Sequence, residues 1–109
     1  MDNTIMRTML FDFYGDLLTE KQREYYDLHF NSDLSLQEIA EQSGVSRQAV
    51  WDIIRRAEQT MAEIEDKTGL VARAVRRRKA VEELEELIAS LPEGESRAKM
   101  LAKVAELSD

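Results

Sequence analysis

The chain has 109 residues, with 22 acidic against 15 basic side chains, a formal net charge of -7, 43% hydrophobic residues and no cysteine. That length and balance suit one folded unit with an appended helical tail, not a disordered chain. The missing cysteine excludes a disulfide framework, thiolate metal ligands and a cysteine nucleophile. No apolar run approaches the roughly 20 residues that a bilayer crossing needs. Met1-Asp2-Asn3-Thr4 lacks the basic-then-apolar order of a secretory leader, so a cytoplasmic protein with no membrane contact is expected.

Four glycines, one proline and abundant Ala, Glu, Leu, Arg and Gln predict an all-α chain. Ile5, Met6, Met9, Leu10, Phe13 and Leu17 recur at helical spacing and predict a first helix over about 4–14 with that stripe turned inward. Thr19-Glu20-Lys21-Gln22 has the form of a capping box, so a second helix starts there and runs through Phe30 to about Asn31-Ser32-Asp33. A second such box, Ser35-Leu36-Gln37-Glu38, opens a third helix that stops at Gly44. Ser46 caps a fourth, from Arg47 through Ile64. Tyr14, Tyr25 and Tyr26 read as core residues with hydroxyls near the surface.

Beyond Thr68-Gly69 the pattern changes. Ala74, Val81 and Ile88 are seven apart, and Leu70, Leu84 and Leu91 lie on the adjoining seam, interrupted by Arg77, so a fifth helix packs on another helix. Leu91-Pro92-Glu93-Gly94 breaks it, and Met100, Leu101, Val104 and Leu107 mark a short sixth helix. The expected organisation is a helix-turn-helix core over 1–68, and a C-terminal helical hairpin over 69–109 packed on the core or on a dimer partner. A homodimer would use the self-complementary seam at Val81, Leu84, Ile88 and Leu91.

The informative stretch is "EIAEQSGVSRQAVWDII", residues 38–54. Two helices that cross closely need a small residue midway along the first, a turn residue that tolerates positive φ, and apolar residues facing inward on both. Ala40, then Gly44, then Ile39, Val45, Val50 and Ile53 supply these. The outward positions, Ser46, Arg47, Gln48, Trp51, Asp52, Arg55 and Arg56, are where such a motif meets bases and phosphates, Arg47 and Gln48 having the chemistry for guanine and adenine edges. The bland alternative is a solvated helix face.

Charge is unevenly placed. Residues 1–45 carry -6, 46–56 carry +2, 57–66 carry -4, 67–81 carry +6 without an acid, and 82–109 carry -5. The second basic stretch, Arg73, Arg76, Arg77, Arg78 and Lys79, reads either as a phosphate or RNA contact or as a face paired with Glu82, Glu83, Glu85 and Glu86. Trp51, the only tryptophan, suits a protein contact better than base stacking. His29, the only histidine, reads as a packed or surface imidazole. No metal-ligand spacing, nucleophile elbow or phosphate-cradling loop is present, so neither catalysis, metal nor cofactor is expected.

"LTEKQREYYDLHFNSDLSLQEIAEQSGVSRQAVWDIIRRAEQTM", residues 18–61, resembles region 4 of bacterial sigma factors, which grips promoter DNA with this motif. With Phe11-Asp12-Phe13-Tyr14, Ser46-Arg47-Gln48-Ala49-Val50 and Arg55-Arg56, residues 5–80 look like the YlxM family of bacterial helix-turn-helix proteins, encoded beside signal recognition particle components. The resemblance implies a sigma region 4-like, winged-helix-like three-helical core and a non-enzymatic, DNA-binding regulator in the signal recognition particle pathway. The alternative it leaves is a module that contacts the protein or RNA of that particle and does not bind DNA.

Overall fold

A computed structural model describes residues 3–108, which are helical nearly throughout and contain no strand. The helices are α1 (Asn3–Tyr14), α2 (Glu20–Phe30), α3 (Leu36–Ser43), α4 (Arg47–Thr68), α5 (Leu70–Ala89) and α6 (Glu95–Ala105), with a 3-10 turn at Gly15–Leu17 after α1. The chain forms two compact units, Met1–Gly69 and Leu70–Asp109.

Local hydrogen bonds set the helix ends in the first unit. Thr19 Oγ1 accepts from the Gln22 amide at 3.2 Å while the Thr19 amide donates to Gln22 Oε1 at 3.0 Å, so both halves of the box close. Ser35 and Glu38 repeat the arrangement at 3.0 Å in each direction, and those bonds from Ser35 hold the Glu38 carboxyl below its usual range. Ser46 Oγ accepts from the Ala49 amide at 3.0 Å and starts α4. At the other ends, Gly44 and Gly69 take φ of 69° and 64°, the left-handed conformation in which an L side chain is strained, and there α3 and α4 stop.

Helix α4 is the axis of this unit, packing against α1, α2 and α3. Its buried Val50, Ile54, Ala57 and Met61 recur at spacings of four, three and four, and Tyr14, Leu18, Tyr25, Tyr26, Ile39 and Ala40 are the other buried apolar residues of this unit. The Phe11 and Tyr26 rings stack at 5.2 Å, Tyr26 lies 4.7 Å from Phe30, and the Arg7 guanidinium sits 4.6 Å over the Phe30 ring. Arg7 also reaches Glu58 at 3.6 Å, tying α1 to α4. Tyr14 donates its single phenolic proton to Glu65 Oε1 at 2.6 Å, so Thr68 Oγ1, also at 2.6 Å, is the donor to the Tyr14 oxygen. His29 closes the turn after α2: its Nδ1 is 2.7 Å from the Leu34 carbonyl, which accepts only, so Nδ1 carries the proton.

Three expectations are corrected. On α1, Ile5, Phe13 and Leu17 are exposed, and Tyr14 and Leu18 are buried instead. Met6, Met9 and Leu10 are half-buried as expected, but the helix is apolar on more than one face and the 3-10 turn at Gly15 shifts the phase before Leu17, so spacing alone misplaces the other three. Val45 is exposed because it lies in the turn between left-handed Gly44 and the Ser46 cap, outside both helices. The Tyr26 hydroxyl is buried without a hydrogen-bond partner among the described residues. Burial, reinforced by Glu58 and opposed by Arg7, pushes its pKa up to about 12.

In the second unit α5 packs against α6, and Val81, Ile88 and Val104 form a small cluster flanked by Leu101. The expected seam is divided: Val81 and Ile88 are buried, whereas Leu84 and Leu91 are exposed, because α6 covers only one line of α5.

Candidate nucleic-acid interface

The candidate surface is the outward side of α4 just after the α3–α4 turn. Burial of Val50, Ile54 and Ala57 fixes the rotation of the helix, and the 3.6-residue period then turns the opposite side to solvent. Arg47, Gln48, Trp51, Asp52, Arg55 and Arg56 are all exposed. Steps of four place Arg47, Trp51 and Arg55 on one line and Gln48, Asp52 and Arg56 on the next.

Each of these side chains has a distinct state. Ser46 is occupied by its capping bond, so its hydroxyl oxygen serves the helix before any ligand. Gln48 Nε2 donates to Asp52 Oδ1 at 3.0 Å. That bond anchors the amide and leaves its carbonyl oxygen and second N–H available, the pair that a bidentate contact to adenine requires. It also engages the one carboxylate that would repel a phosphate here. Arg47, Arg55 and Arg56 form no ion pair with another described residue. Three unengaged guanidiniums around one hydrogen-bonded carboxylate make this part of α4 electropositive within an acidic body.

Arg47, Gln48 and Trp51 also line an open cleft of about 500 Å³ whose remaining wall is Leu36. Spacing along α4 does not reveal Leu36, which reaches the cleft through the α3–α4 crossing; its place one residue after the Ser35 cap is the only local hint. The cleft beside the indole is therefore lined by one apolar and two polar side chains. Arg7 is the second residue that spacing passes over, since its roles over Phe30 and beside Glu58 depend on long-range packing.

On α5, Arg73, Arg76, Arg77, Arg78 and Lys79 are exposed, and none forms an ion pair with a described residue. The expected alternative, pairing with Glu82, Glu83, Glu85 and Glu86, is not formed among the described residues. In α5 the bases precede the acids, the weaker orientation for pairs four residues apart.

Two capped helices joined through a left-handed glycine, the second carrying exposed arginines and glutamine over a buried apolar line, define a helix-turn-helix protein. The sequence profile of the family described as "Putative helix-turn-helix protein, YlxM / p13 like", UPF0122, matches residues 1–102, and the chain belongs to that family. It is 47% identical over 88 residues to the UPF0122 protein of Halalkalibacterium halodurans, covering 81% of each chain. It is 49% identical over 90 residues to that of Shouchella clausii, 83% of each, and 48% identical over 88 residues to that of Geobacillus kaustophilus, 81% of this chain and 80% of the relative. The family is described as one of helix-turn-helix proteins. No helix among the described residues is long and apolar enough to cross a membrane.

Proposed function

We propose that the protein is a DNA-binding regulator that lays the first turns of α4 in the major groove. One observation carries this reading: Arg47, Arg55 and Arg56 are exposed without an ion-pair partner among the described residues, around a Gln48 amide already oriented by Asp52. In this mode Arg47 and Gln48 meet base edges near the helix start. Arg55 and Arg56 take phosphates, and the Trp51–Leu36 cleft receives an apolar edge such as a thymine methyl.

Fluorescence anisotropy with duplex DNA fragments at two salt concentrations tests it. Affinity should fall with salt, the slope shrinking by roughly 0.9 for each phosphate interaction removed. Arg47→Ala combined with Arg55→Ala should abolish specific binding, since removing one bidentate hydrogen-bonded pair to a base costs about 1–3 kcal/mol. Unchanged binding by the double variant would remove α4 as the reading element.

A further inference from the structure

Helix α5 has two lines of side chains suited to a helical neighbour, and α6 occupies only one. Val81 and Ile88 are buried with Val104 against α6. The other line, through residues 73, 77, 80, 84, 87 and 91, alternates steps of four and three, the 3.5-residue repeat that keeps one line facing a second helix over several turns. Its later part is all leucine and open to solvent: Leu84 is 41% exposed, Leu87 67% and Leu91, just past the helix end, 42%. Isolated exposed leucines are ordinary, but two in heptad register on one helix and a third just past its end form an apolar line.

Charge says what covers it. Beside this line α5 carries a basic block, Arg73 to Lys79, followed at once by an acidic block, Glu82 to Glu86, and no member of either block forms an ion pair with a described residue. A helix ordered positive-then-negative is complementary to itself when a second copy runs antiparallel, because each basic block then meets the other's acidic block. A parallel copy sets like against like. We propose that α5 pairs antiparallel with α5 of a second copy of this chain, in a register that matches the charge blocks and lays Leu84 and Leu87 of each copy across the aliphatic stems of Arg77 and Arg73 of the other. A nucleic-acid strand fits this face less well, since Glu82, Glu83, Glu85 and Glu86 would repel its phosphates and the leucines would stay uncovered. The pairing is independent of the DNA reading of α4 and is tested without nucleic acid.

The test is sedimentation equilibrium of the full chain over a range of concentrations at low and high salt. A reversible dimer that weakens with salt is expected. Leu84→Arg with Leu87→Arg, which removes the apolar area and sets like charge against the other copy's basic block, should raise the dissociation constant at least about tenfold while the helical circular dichroism stays unchanged. A charge exchange guards against loss through misfolding. Arg76→Glu/Arg77→Glu and Glu82→Arg/Glu83→Arg should each weaken self-association, and a mixture of the two should pair again. A wild-type chain that stays monomeric at millimolar concentration overturns the proposal. So does a dimer indifferent to the leucine pair, or one that tightens with salt. A monomer whose binding to single-stranded RNA is lost in Arg76→Glu/Arg77→Glu would assign the basic block to phosphate instead and also overturn it.

Discussion

The two units reach helical structure by different routes. In the first, side chains cap three helices, left-handed glycines end two of them, and ten apolar side chains from Tyr14 to Met61 are buried. In the second, α6 begins at Gly94 with no side-chain cap, and the α5–α6 contact buries Val81, Ile88 and Val104. Local signals and packing agree in the first unit, whereas in the second a single small cluster joins the two helices. The first unit can therefore hold an exposed polar face on α4 in fixed rotation, as a surface that meets bases requires.

Matched core truncations should show the contrast most strongly. Ile54 is fully buried at the centre of the first unit, and Ile88 is buried in the three-residue cluster of the second. Ile54→Ala should cost about 4 kcal/mol and Ile88→Ala about 2 kcal/mol, since a small cluster beside solvent collapses around a cavity more readily. Urea denaturation followed by circular dichroism measures both. Equal losses would show that the two units are equally well packed.

A defect inside the stronger unit gives the next effect. The Tyr26 hydroxyl is buried with no partner among the described residues, so Tyr26→Phe should stabilise the protein by roughly 1–2 kcal/mol, the cost of leaving such a group unsatisfied. The sign of the pH effect follows. Because the folded-state pKa lies at about 12 against the ordinary 10.0, the native state holds this proton more tightly than the unfolded chain. Its contribution is fully present below pH 10 and is lost as pH rises toward 12, so the wild type should lose more stability than Tyr26→Phe across that window in parallel alkaline melts.

How much of this is legible in the residues depends on the range of the interaction. The boxes at Thr19 and Ser35, the Ser46 cap and the Gly44 stop span three or four residues, and each is written in the local string. Spacing misjudges the inward stripe of α1 because Ile5, Phe13 and Leu17 are as apolar as the residues that are buried, and only packing against α4 decides between faces. It misplaces the Tyr26 hydroxyl for the same reason, since stacking on Phe11 draws the ring inward. On the candidate interface, the exposed positions of α4 follow from counting along one helix. The Gln48–Asp52 bond spans only one turn, whereas the Leu36 wall needs the α3–α4 crossing.

Turn chemistry should give a smaller effect. A Cβ built on Gly44 meets nothing within 4 Å, so Gly44→Ala carries no steric clash and isolates the left-handed backbone strain, about 1–2 kcal/mol. Thermal melts measure the loss. If Gly44→Ala also weakens DNA binding more than its stability loss explains, the α3–α4 turn sets the presentation of the reading face as well as its stability.

The smallest effect tests whether the missing cap is what separates the two units. Gly94 is extended backbone, φ 163° and ψ 178°, a conformation open to any residue, and a Cβ there meets nothing within 4 Å. Its carbonyl already accepts the Ala98 amide at 3.1 Å, which makes it the residue preceding the first turn of α6. A serine at this position can accept from the Arg97 amide as Ser46 does from Ala49, without adding charge beside Glu93 and Glu95. Gly94→Ser should therefore stabilise the second unit by only a few tenths of a kcal/mol, because glycine is itself a tolerable cap. Native-state hydrogen exchange resolves so small a gain, as slower exchange of the α6 amides with those of α2 to α4 unchanged. Slower exchange throughout the chain would mean instead that the two units unfold as one.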